Sequence, residues 1–196
     1  IIGGRFHCTD VDGGSGRIPI LRNIGSTGVS AVKEEEKMTF SIGYGRDLHA
    51  LFDGHALTLG GVAIDSPKGF DTHSDGDVLS HAIVDALAGA IAEGDLGTWF
   101  PEDDPDAQDA RSLDFVAQMG DIVRSRGYRI EHLDSFIVLG PVRLRPYIAE
   151  IRDNLSRALD VSLEHVSVKA RSNDMLGLEG EGKACSAQAV VLMSRD

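Results

Sequence analysis

The sequence predicts an α/β domain of the α+β sandwich kind, with helices packed against one sheet. Three observations carry that expectation. Strand-like and helical runs alternate from Met38 to the C-terminus. The run beginning at Asp77 places Val78, Ile83, Ala86, Leu87, Ala90 and Ile91 so that they include most of an apolar stripe at helical spacing. A chain of 196 residues, 42% of them hydrophobic, can bury a proper core without disulfide staples.

The elements follow in order. Residues Ile1–Lys37 hold 7 of the 23 glycines, show little periodicity and close on the charged run Lys33-Glu34-Glu35-Glu36-Lys37. They read as a tail, a linker or sequence upstream of the true start, which leaves residues 38–196 for the domain. Strand-like runs come at Thr39–Gly43, at Ala56–Leu59 with Val62–Ile64 as a hairpin through Gly60-Gly61, and at Ser135–Leu139, Ser167–Arg171 and Ala187–Met193. Helical runs span Asp77–Glu93 with Gly94 just past the end, Ser112–Ser125 with Ser112 as cap and Gly127 beyond, and Pro146–Leu159.

Composition narrows the function classes. A formal net charge of −12 argues against nucleic acid or an anionic membrane as partner. No apolar run approaches the roughly 20 residues that a membrane span requires. Cys8 and Cys185 are too few for a disulfide framework, which favours a cytoplasmic setting, or a plastid stroma if the source is eukaryotic.

Chemistry concentrates in His73-Ser74-Asp75-Gly76-Asp77 and the helix that follows. Asp77, His81 and Asp85 recur every four residues on the side away from the apolar stripe. A histidine flanked by carboxylates is suited to bind a metal or to act as a tuned acid or base, and a plain solvated helix face is the competing reading. Upstream, Asp47 and His49 stand two apart, so in extended chain their side chains leave on one face. Together with His81 they make three N/O ligands without cysteine, the pattern of a catalytic zinc site that keeps a fourth position open.

At these residues the chain resembles the 2-C-methyl-D-erythritol 2,4-cyclodiphosphate synthase family. The resemblance takes in Gly60-Gly61-Val62, His73 to Asp77, His81, Asp85, Gly94-Asp95-Leu96-Gly97 and Phe100-Pro101. It continues through Val168-Lys169-Ala170, Leu176-Gly177 and Ala184-Cys185. It implies a mixed sheet with helices on one face and a homotrimer around a central sheet-lined cavity, with active sites between adjacent subunits. The implied activity is a metal-dependent phosphorus–oxygen lyase of the non-mevalonate isoprenoid pathway. It converts 4-diphosphocytidyl-2-C-methyl-D-erythritol 2-phosphate to the 2,4-cyclodiphosphate and releases CMP.

The resemblance also implies roles residue by residue. Asp47, His49 and His81 would hold Zn2+, one per subunit, and Asp174 would hold Mg2+ or Mn2+ with the substrate. His73 and Ser172 would be catalytic. Ser74, Asp95, Leu96, Gly97, Phe100, Pro101, Glu102, Asp103, Asp104, Arg143, Arg171, Asn173 and Leu178 would line the substrate site. The turn leading into the helix at Asp77 is expected to favour anions.

Several positions depart from the family pattern. Arg171-Ser172-Asn173-Asp174 stands where three threonines and a glutamate are usual, so the carboxylate at Asp174 is one methylene short. Arg143 keeps the cation of the nucleotide loop, with proline displaced to Pro141. The glycine-rich stretch after Leu178 is shorter and lacks the arginine that faces the trimer cavity, with Lys183 as the nearest substitute. A second reading therefore stands beside the first: a non-catalytic or repurposed trimeric paralogue that keeps zinc and binds another phosphorylated ligand.

Overall fold

The structure is a computed structural model that describes residues 38–72, 74–101, 110–140 and 142–196. The expectations for Ile1–Lys37, His73, Glu102, Asp103, Asp104 and Pro141 lie outside the described residues. Along the chain come β1 (Thr39–Ala50), β2 (Phe52–Asp53), β3 (Leu57–Leu59), β4 (Val62–Ile64) and β5 (Lys68–Gly69). Then follow α1 (Val78–Ala90), α2 (Leu96–Trp99), α3 (Ser112–Ser125), β6 (Arg129–Val138) and α4 (Ile148–Leu159). The chain closes with β7 (Val166–Arg171), α5 (Gly177–Gly180) and β8 (Ala184–Arg195).

The main sheet has the order β1-β8-β6-β7 and is mixed. Its β1–β8 and β8–β6 pairs are antiparallel, while β6 and β7 run parallel. The connection from β6 to β7 passes through α4, as a parallel pair demands. The glycine hairpin forms as expected, with Leu57–Leu59 paired to Val62–Ile64.

β1 runs on to Ala50 rather than stopping at Gly43, because its pairing with β8 is unbroken from Thr39↔Arg195 to Ala50↔Ala184. Its alternation then decides what each residue meets. Gly43 and Gly45 point at α1, while Phe40, Ile42 and Tyr44 leave on the opposite, open face. A Cβ on Gly43 or Gly45 would fall within about 2 Å of a carbonyl oxygen of α1, so both glycines permit backbone-to-backbone contact between strand and helix.

Helix α1 is not solvated on any broad side. It lies between the sheet and α3, and every residue from Val78 to Ala90 except Asp85 and Gly89 is buried. Asp77 is its N-cap, with Oδ1 accepting from the N–H groups of Leu79 and Ser80. The helix ends earlier than Glu93: Ile91 caps it and Ala92, not Gly94, takes the left-handed position that follows.

Ser112 does not cap α3. The cap position is Arg111, and Ser112 is the first helical residue, its hydroxyl engaged elsewhere. Gly127 sits past the end with positive φ, as expected. β6 begins at Arg129, six residues before the run read from sequence, because a bulge between Ile130 and His132 lets a polar stretch keep pairing with β8.

Candidate metal centre and phosphate cavity

Two elements bring three ligands together. Asp47 and His49 leave β1 on the face that carries Gly43 and Gly45, and His81 comes from the first turns of α1 packed against that face. His81 Nδ1 stands 2.9 Å from Asp47 Oδ2, and His49 Nε2 stands 3.1 Å from the same oxygen. One ligand atom from each residue lies within 4.8 Å of the other two. This is the set expected from the sequence, and the structure shows which carboxylate meets His81. Asp77 and Asp85, the carboxylates nearest His81 in sequence, are engaged elsewhere, and the carboxylate that reaches it comes from 34 residues away.

The outer hydrogen bonds fix how the imidazoles face. A carbonyl oxygen can only accept, so His49 Nδ1–H donates to Gly76 O at 3.1 Å and leaves Nε2 toward Asp47. His81 is turned the other way: Nε2 meets Ser112 Oγ at 3.0 Å and Nδ1 faces Asp47. The two nitrogens left over are those that converge with the Asp47 carboxylate. Two nitrogens and one oxygen, without sulfur and with their tautomers fixed from behind, fit a divalent cation of the zinc type.

Charge agrees with geometry. Burial would raise the Asp47 carboxyl, but hydrogen bonds and charge from His49 and His81 outweigh it and hold it well below the usual carboxylate range. His49 is raised, chiefly by its hydrogen bond to Asp47. Burial pushes Asp77 up against the pull of its donors. Those donors include Gly61 N–H at 2.8 Å and Ser80 Oγ–H at 2.8 Å, so Asp77 ties the β3–β4 hairpin to the helix start.

At the start of α1 the N–H groups of Leu79 and Ser80 donate to the Asp77 carboxylate, so these two donors of the expected anion-favouring segment are engaged within the chain. The flanking acids also play roles other than those their spacing suggested. Asp85 accepts from Leu96 N at 2.8 Å and so anchors α2 to α1.

Other expected residues fall into two further groups. Arg143, Arg171 and Ser172 line a cavity of about 880 Å³ with Arg145 and Arg152, which sequence reasoning had not singled out. The signal for the latter pair was present only as basic residues around α4. Asn173, Asp174 and Met175 all adopt positive φ in the exposed turn after β7, and Leu178 is half exposed on α5. Asp174 thus stands in that turn, apart from the triad.

The third group surrounds α2. Asp95 caps it, accepting from Thr98 N and Thr98 Oγ1 at 3.0 and 2.7 Å. Leu96 is half buried and Gly97 exposed, Phe100 stacks on Phe115 at 4.4 Å, and Pro101 is exposed. Ser74 Oγ accepts from Gly76 N at 3.2 Å, closing the turn before α1. Trp99 packs against the core and donates to Glu93 O. Cys185 is fully buried, and burial pushes its thiol well up.

No helix among the described residues is long and apolar enough to cross a membrane. Comparison with known proteins gives the lineage. Residues 40–194 match the model of the YgbB family. A 2-C-methyl-D-erythritol 2,4-cyclodiphosphate synthase of Synechococcus elongatus is 43% identical over 157 residues, covering 80% of this chain and 98% of that protein. The protein of the same name from Thermotoga maritima is 48% identical over 152 residues, covering 78% and 90%. A solved 2C-methyl-D-erythritol-2,4-cyclodiphosphate synthase in a CDP-bound form has a TM-score of 0.71 at 34% identity, covering 78% of this chain and 99% of that one. With a family match across nearly all of the described residues and relatives aligned over almost their full length, the chain belongs to the YgbB family.

Proposed function

We propose that this chain is a cyclodiphosphate synthase of isoprenoid biosynthesis. Its substrate is 4-diphosphocytidyl-2-C-methyl-D-erythritol 2-phosphate and its products are the 2,4-cyclodiphosphate and CMP. The observation that carries the reading is the preformed Asp47–His49–His81 triad on a fold whose curated relatives bear that name. Residues 38–196 form the catalytic domain, supported by the family match over 40–194.

In the reaction an oxygen of the 2-phosphate bonds to the β-phosphorus, and the bond from that phosphorus to the bridging oxygen breaks. The electron pair leaves with the α-phosphate as CMP. Such a transfer needs positioning and charge neutralisation more than covalent help. Asp47, His49 and His81 would hold a cation, zinc by the nature of the donors, which would supply Lewis-acid polarisation to a phosphate. Asp174 would be the residue to hold a second ion, Mg2+ or Mn2+, which would neutralise phosphate charge. Arg143, Arg171 and Ser172 bind phosphate oxygens from the cavity wall. His73 and Ser74 donate hydrogen bonds to the attacking phosphate. Asp95 to Gly97 and the segment Phe100 to Asp104 line the methylerythritol side.

The active unit is a trimer in this reading. Leu48, Ser186, Val138 and Arg171 lie in one row across the sheet, so the β1 ligands and the arginine cavity are three strand spacings apart, about 14 Å. A substrate bridges them more readily when a neighbouring copy brings its cavity to the triad. The open face of the sheet supports such an assembly, since Phe40, Ile42, Tyr44 and Val190 are all exposed there.

Incubating the purified chain with the cytidine substrate, zinc and magnesium should release CMP, followed by phosphorus resonance. Binding of CDP without any CMP release from the true substrate would overturn the reading in favour of a repurposed ligand-binding paralogue. The names that the relatives bear do not favour that alternative.

A further inference from the structure

Behind the triad lies a hydrogen-bonded chain that neither the ligand set nor the phosphate cavity uses. Ser112, the first residue of α3, is completely buried and its hydroxyl lies between two groups. On one side is His81 Nε2 at 3.0 Å, and on the other Asp75 Oδ1 at 2.5 Å. The Ser112 N–H also donates to both carboxylate oxygens of Asp75, at 3.2 Å each. A carboxylate only accepts, so the Ser112 hydroxyl proton points at Asp75 and its lone pair is left for His81. His81 Nε2 must then be the N–H donor, and Nδ1 is the nitrogen available to a cation.

We propose that Ser112, backed by Asp75, is the positioning residue of the metal centre: it fixes the tautomer and ring angle of His81 and relays the negative charge of Asp75 to it. The proposal rests on the reading of Asp47, His49 and His81 as the ligand set. The two histidines are then held by one stretch of chain. Gly76 O orients His49 directly and Asp75, its neighbour, orients His81 through Ser112. This gives Asp75 and Gly76 of the His73–Asp77 segment a task in the outer shell of the metal centre. Outer partners of ligating histidines typically carry a 10- to 100-fold effect on metal affinity.

The simpler explanation is that Asp75 merely caps α3 through the Ser112 N–H, since a carboxylate at a helix start is stabilising on its own. The variant Ser112→Ala separates the two, because it keeps that N–H and removes only the hydroxyl. Zinc affinity of the full chain, measured by competition with a chromophoric chelator, should fall about 10- to 100-fold in Ser112→Ala. Ser112→Thr, which keeps a hydroxyl, should recover most of the loss. The visible absorption bands of the cobalt-loaded protein should shift in Ser112→Ala and return in Ser112→Thr, a signature that helix capping alone would not move.

Wild-type zinc affinity and an unshifted cobalt spectrum in a folded Ser112→Ala protein would overturn the proposal. Where that variant melts too low to measure, Asp75→Ala takes its place, and unchanged zinc affinity there overturns the proposal equally. His81→Ala in the same titration keeps the underlying reading separate. If it binds zinc as tightly as wild type, the ligand set itself is wrong; if it loses zinc while Ser112→Ala does not, only the positioning role fails.

Discussion

Gly45→Ala probes the joint on which the metal centre depends. A Cβ at Gly45 would sit 2.0 Å from the Ala82 carbonyl oxygen and 2.7 Å from the Ala86 nitrogen, both backbone atoms of α1. Ordinary contact begins at 3.4 Å, so strand and helix must part by about 1.4 Å before the methyl fits. No side-chain rotation can relieve this, because the opposing atoms are main chain. Inserting volume into a packed core typically costs about 1–3 kcal/mol, and this contact falls at the upper end because an entire buried helix must move. The displaced helix carries His81, while Asp47 is two residues from the substituted position. A metal centre tolerates only about 0.2 Å in its ligand distances, so the same shift should impair zinc binding along with stability. Urea denaturation should show a lower midpoint for Gly45→Ala, and chelator competition a weakened zinc affinity. Gly89→Ala serves as control, for its Cβ would meet nothing nearer than 3.9 Å and alanine is favoured over glycine inside a helix by roughly 1 kcal/mol. A Gly45→Ala protein with the wild-type midpoint and zinc affinity would refute the claim that glycine is needed for backbone contact here.

Two further outcomes follow from the same site. Asp77→Ala should destabilise the fold by about 2–4 kcal/mol in urea denaturation, combining a lost helix cap with donors at Gly61 and Ser80 left unpaired; a loss below about 1 kcal/mol would contradict this. The pair of Asp47 and His49 should also set a pH window in the metal-free protein. The contribution of Asp47, whose carboxyl is held low, is in place above its ordinary 3.8 and is lost only as pH falls through the depressed value. The contribution of His49, which is held high, is whole below its ordinary 6.5 and is lost as pH rises through the raised value. The melting advantage of wild type over Asp47→Asn should therefore be greatest between about pH 4 and 6.5 and shrink above it; an advantage that is constant up to about pH 9 would show that the charge on His49 contributes nothing to it.

Much of the architecture was legible because it is written in local periodicity. The α1 stripe, the Gly60-Gly61 hairpin and the start of β1 each follow from residue spacing that acts over a few residues. The triad was legible for a related reason. Asp47 and His49 share a strand face by the pleat, and His81 was picked out by the family-like run that begins at His73, although its spacing had put it on the helix side away from the apolar stripe. Errors arose where a polar residue had two possible uses. Asp77 was read on a polar helix side and is instead a buried cap, because the hairpin supplies a donor from 16 residues away. Ser112 was read as a cap and instead turns its hydroxyl to His81 and Asp75, 31 and 37 residues distant.

By itself, then, the chain determined which residues could ligate a cation and which segments would be helix or strand, since those depend on side-chain chemistry and short-range backbone geometry. Only the tertiary structure decided which nitrogen of each histidine faces Asp47, and that it is Asp47 rather than Asp77 or Asp85 that meets His81. It also gathered Arg145 and Arg152 beside Arg143 and Arg171 around one cavity. Hydrogen-bond partners of buried polar atoms are fixed by where packing places them, and a close approach such as Gly45 to Ala82 is a contact between backbones that no side-chain pattern records.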